Sequence, residues 1–160
     1  MKTIKLFILL LTIATFATSC SKSDDNAEPA LAYTQKNIMG RYAITSLTKP
    51  NGQVVPYKGY CSTKADVFVA LGYYKVYIEK YYGNCPNTWE EYTIATNYAI
   101  EPDGRITMNM QNSGYWEGRI TELTATKFRI VYDEPTEVYE HSSEPGQTNK
   151  YASILYTRLP

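Results

Sequence analysis

After residue 40 the chain alternates apolar and polar residues one by one, and that period of two confines most of it to β-strands. Tyr74, Val76 and Ile78 alternate with Lys75, Tyr77 and Glu79. Ile106, Met108 and Met110 alternate with Arg105, Thr107, Asn109 and Gln111, and Phe128, Ile130 and Tyr132 with Lys127, Arg129 and Asp133. One face to bury and one to wet is the pattern of an antiparallel sheet. Further strands fit Arg41 to Lys49, Asp66 to Leu71, Glu91 to Ile100, Tyr115 to Glu122 and Tyr151 to Arg158. Turn-forming residues stand between them: Pro50-Asn51-Gly52, Gly72, Gly83-Asn84, Pro102-Asp103-Gly104 and Ser113-Gly114. The helical candidate is short, from Ala30 to Met39. Hairpin-joined strands without a long helix bury one face by closing into a barrel or doubling into a sandwich. The expected form is the barrel: all-β, antiparallel, up-and-down and eight-stranded. Residues 134 to 149, with Pro135, Pro145 and Gly146, should be a long loop before the last strand.

The N-terminus reads as an export signal. Lys2 and Lys5 precede the apolar run from Leu6 to Leu11, which continues through Ile13, Ala14 and Phe16 to small residues. The run is short for a membrane span of about 20 residues. Ala17-Thr18-Ser19-Cys20 resembles the lipobox of bacterial lipoproteins, which implies that Cys20 is acylated and becomes the mature N-terminus. A disulfide is the other reading of Cys20. Residues 21 to 29 are too polar to bury much surface and should form a tether. Their acidic character is similar to a signal that moves some Bacteroidetes lipoproteins to the outer face of the outer membrane; a plain solvated linker is the alternative. The expected organisation is a signal peptide over 1 to 19, a lipidated cysteine and acidic tether over 20 to 35, and a barrel over 36 to 160.

Without Lys2 and Lys5, the mature chain carries 14 basic against 16 acidic side chains. It has no clustered basic surface for a phosphate backbone, so nucleic acid is not an expected partner. With Cys20 given to lipid, Cys61 and Cys85 remain, and in an oxidising compartment such a pair reads as one disulfide. The single histidine, His141, excludes a histidine-based metal cluster, and no cofactor is expected. The 16 tyrosines suit pleated, half-buried surfaces, either as sheet filler or as a binding face.

Several segments resemble the lipocalin-like lipoproteins of Bacteroidetes, which are calycin-type barrels. Gly40-Arg41-Tyr42 is similar to the opening Gly-x-Trp of lipocalins, with tyrosine in place of tryptophan. Cys61 followed by Asp66, Phe68, Gly72 and Tyr74 resembles the family's cysteine and hairpin. Cys85 with Thr88-Trp89 resembles its second cysteine and next strand, and Ile120-Thr121-Glu122-Leu123-Thr124 its later turn. The resemblance spans roughly residues 36 to 160. It implies a barrel and a location rather than a reaction. It also implies that Arg158 packs on the ring of Tyr42 where the barrel closes.

Three functions follow from these features. In the first, a monomeric lipid-anchored barrel binds a small hydrophobic or amphipathic ligand through Phe68, Tyr74, Val76, Ile78, Ile94, Met108, Phe128, Ile130 and Ile154, residues that could equally fill a core. In the second, outward tyrosines such as Tyr73, Tyr77 and Tyr81 contact a glycan or protein. The third, an enzyme, is not expected: Glu90 and Glu91 point to opposite faces of a strand, and no nucleophile elbow, phosphate loop or metal spacing is present.

Overall fold

The computed structural model describes residues 28–59, 61, 63–72, 75–81, 85, 89–110, 114–138 and 149–160. Residues 1 to 19, expected to be a signal peptide, lie outside these residues, as do Cys20, Tyr73, Tyr74, His141 and the side chain of Ile94. Regular structure begins with one helical turn, α1 (Gln35–Ile38), started by Thr34, whose hydroxyl accepts the backbone N–H of Asn37 at 3.3 Å. The helix expected from Ala30 to Met39 shrinks to this turn. A single cap supports it, and Gly40, at φ 144°, turns the chain straight into a strand.

The described strands are β1 (Gly40–Thr48), β2 (Val54–Pro56), β3 (Val67–Ala70), β4 (Val76–Tyr81), β5 (Trp89–Ile100), β6 (Arg105–Met110), β7 (Gly114–Leu123), β8 (Lys127–Glu137) and β9 (Lys150–Arg158). From β3 to β9 each pairs antiparallel with its chain neighbour. β1 uses both edges: Gly40 to Ala43 pair with β3, Ser46 to Thr48 with β2, and Tyr42 to Thr48 with β9. The all-β, barrel-like sheet thus has its last strand beside its first. The short β2 was not expected, because three residues are too few for alternation to register.

Residues 134 to 149 are not a single loop. β8 runs on through Pro135 to Glu137, and its pairing with β9 jumps from Val131↔Ser153 to Thr136↔Tyr151. Proline offers no N–H to a ladder, so the strand bulges there and resumes pairing beyond.

Inside the shell, Tyr42, Phe68, Phe128 and Tyr156 pack ring on ring. Tyr42 meets Phe128 edge-on at 4.6 Å, Phe128 stacks on Tyr156 at 4.6 Å, and Tyr156 tilts against Phe68 at 4.7 Å. Each buried ring contributes roughly 1.5–3 kcal/mol through the surface it removes from water. Ile44, Leu47, Ile106, Ile120 and Ile130 complete this core.

A smaller cluster covers the outside of β3 and β4, where Val67, Val69 and Tyr81 pack with Cys61, Cys85 and Leu159. Cys61 and Cys85 form the disulfide, with Cα atoms 5.5 Å apart. Beneath this cover Glu79 is buried, paired with Arg41 and accepting the hydroxyl of Tyr81 at 2.8 Å. Asp66, also buried, accepts the hydroxyl of Tyr57 and the backbone N–H of Tyr81. Tyr81, expected to face outward toward a partner, is 3% exposed because this segment lies over it.

The tether expected to reach residue 35 is already on the sheet by Glu28. The carboxylate of Glu28 accepts the Thr126 hydroxyl at 2.7 Å, and the hydroxyls of Thr124 and Thr126 hold it below the usual carboxylate range. The N–H of Leu31 donates to the carbonyl of Leu123 at 2.8 Å. These contacts, α1 and the β7–β8 turn mark one end of the barrel-like sheet.

Candidate functional site

At the opposite end, β7 and β8 separate. Their ladder finishes at Gly118↔Tyr132, where a Cβ on residue 118 would lie 2.5 Å from the carbonyl oxygen of Val131. Glycine alone lets the strands approach so closely there. Beyond it β8 enters its bulge at Asp133 to Pro135, and a slot of about 280 Å³ opens between the two strands.

The slot has aromatic walls and an acidic rim. Trp116 shares the inward row of β7 with Gly118 and Ile120, and its ring meets that of Tyr132 edge-on, 5.6 Å away at 85°. Tyr115, 68% exposed, stands at the edge. Glu117, Asp133 and Glu134 also line it, while Arg105 reaches across to Glu117 at 2.8 Å and to Asp133 at 3.5 Å. Deeper, the hydroxyls of Tyr132 and Tyr156 lie 3.3 Å apart. Burial pushes the Tyr132 phenol up to about 12 and that of Tyr156 well above its ordinary value, so both stay neutral across the physiological range.

No family model, curated protein or solved structure matches the chain.

Most of the sequence-predicted interior residues come together, but in the core rather than around a space. Phe68, Val76, Met108, Phe128, Ile130 and Ile154 are all buried in one cluster, and Ile78 packs against it half-buried. Arg158 stands opposite Tyr42 in register, with its guanidinium carbon 4.7 Å from the ring centroid. The same guanidinium donates to the Tyr42 hydroxyl and to the carbonyls of Met39, at 3.1 Å, and Asn37, at 3.0 Å. It locks α1 to both terminal strands.

Sequence reasoning passed over Trp116 and read Tyr132 only as a strand residue and Pro135 only as part of a loop. The signal was present: a proline that interrupts an alternating run marks a bulge, and a bulge beside a tryptophan leaves a ring uncovered. Among the described residues no group of three or more Cys, His, Asp or Glu side chains could hold a metal ion. The slot therefore offers π-faces, carboxylates and a threonine, Thr136, as its binding chemistry.

Proposed function

We propose that this chain is an exported lipoprotein, anchored to the outer membrane through lipid on Cys20, whose lipocalin-like barrel binds a small amphipathic ligand in the β7–β8 slot. The β1–β9 ladder and the Arg158–Tyr42 contact support the lipocalin-like reading. One contrast carries the placement of the ligand: four packed rings occupy the interior between β1 and β8, whereas the gap beside Trp116 is open. Sites of this kind join apolar walls to a few placed polar groups. A second reading, docking of a glycan or protein through outward tyrosines such as Tyr73, Tyr77 and Tyr81, loses Tyr81 to burial, although Tyr115, not among those named, is exposed.

A thermal-shift screen of amphipathic small molecules, lipids and glycans tests this. A ligand at a hundredfold its Kd stabilises by about 2.7 kcal/mol, or several degrees for a domain of this size. The expected ligand raises the Tm of wild type and leaves Trp116→Leu unmoved. A ligand that stabilises both equally would place binding elsewhere.

A further inference from the structure

We infer that the β7–β8 slot takes a compact organic cation, a quaternary or protonated amine, seated in the corner between the rings of Trp116 and Tyr132 with its charge toward Glu134 and Asp133. This inference rests on the slot being the ligand site and specifies the ligand's chemistry.

Three observations carry it. Two rings at 85° form a corner rather than a platform. A rounded cation gains from two π-faces at once, whereas a flat sugar ring needs one broad face. The carboxyl side chains lining the slot, Glu117, Asp133 and Glu134, are all exposed at its rim, an acidic lining that repels anions and draws in cations. The volume, about 280 Å³, suits a head group with a few carbons.

The rim already shows the preference. Arg105 reaches Glu117 and Asp133 from outside the slot, while Glu134 has no ion-pair partner among the described residues. One carboxylate is thus left for a ligand's charge, and two more are shared with a competing guanidinium.

The test uses the Trp89→Phe protein, in which Trp116 is the one remaining tryptophan and reports on the slot by its fluorescence. It is titrated with choline chloride, with the neutral isostere 3,3-dimethylbutan-1-ol, and with glucose. Choline is expected to change the emission saturably and to bind at least about tenfold more tightly than the isostere, because the two differ only in charge. Raising salt to about 0.5 M should weaken choline binding, since the rim is exposed. Glu134→Gln should weaken it roughly threefold to tenfold, and Arg105→Gln should strengthen it by a similar factor, because it frees two carboxylates. That gain cannot come from a variant that merely misfolds.

Equal affinity for choline and its isostere, or a tighter Glu134→Gln complex, overturns the inference. Saturable binding of the isostere or glucose without choline refutes the cation and leaves the slot as a site. No response of Trp116 to these probes, together with no Trp116-dependent ligand in the wider screen, refutes both.

Discussion

Two phenols face each other below the slot, and their burial makes the fold sensitive to alkali. Tyr132 carries a value raised from 10 to about 12, chiefly by desolvation. A proton held more tightly in the folded state contributes stability that is complete below the unfolded value and lost as pH rises through the folded one. Between pH 10 and 12, wild type should lose roughly 2–3 kcal/mol from this group, and Tyr132→Phe should lose that much less in urea titrations across the same window. Identical pH slopes for the two proteins would mean that the Tyr132 phenol is not buried in neutral form. At this scale the resemblance to lipocalins made one contact legible: Arg158 and Tyr42, in the last and first long strands, stand opposite each other. Sequence reasoning placed Glu79 on the wet face and Tyr81 outward, whereas both are buried. Alternation assigns a residue to a face of the sheet, but the burial of these two depends on what the Cys61 segment covers.

Between strands, the hairpins explain which elements could be read. The Pro102-Asp103-Gly104 turn forms as its residues demand: the Asp103 carboxylate accepts the N–H of Arg105 at 3.0 Å, and Gly104 takes φ 89°. The strands on either side, β5 and β6, were legible for that reason. The extension of β8 was not, because Pro135 signals a break locally while Thr136 and Glu137 find partners in β9 that are distant in sequence. The slot shares that fate, since it exists only where two ladders end at different residues. The disulfide belongs to this scale as well, for it closes a loop around β3 and β4. Replacing Cys61 and Cys85 together with alanine should lower stability by about 3.5 kcal/mol on the chain-entropy account. The fall should appear as a lower urea midpoint, and reduced wild type should match the variant. An unchanged midpoint would show that the loop is held by the Asp66 and Glu79 contacts alone.

For the molecule as a whole, the count of alternating segments and the lack of a long apolar helix pattern pointed to an eight-stranded barrel. The structure bears out the coarser part of this, an all-β, curled antiparallel sheet running from β1 through β3 to β9. The state of its interior was illegible, because the same apolar residues can surround a ligand or one another. Anchoring has a direct test: wild type expressed with its signal should partition into the detergent phase, and Cys20→Ala into the aqueous phase. Wild type in the aqueous phase would defeat the lipoprotein proposal. Under the anchoring proposal, the attachment of Glu28 and Leu31 to the β7–β8 turn would govern how the domain is presented. From Cys20 to Glu28 the backbone can extend at most about 28 Å, while an eleven-residue strand such as β8 measures roughly 36 Å. If Cys20 carries lipid as proposed, so short a leash, running from the Thr126 side, would keep the domain from somersaulting to lay the opposite rim on the bilayer. On that proposal the acidic crevice beside Trp116 would be held aloft, open to whatever diffuses past rather than to the lipids beneath.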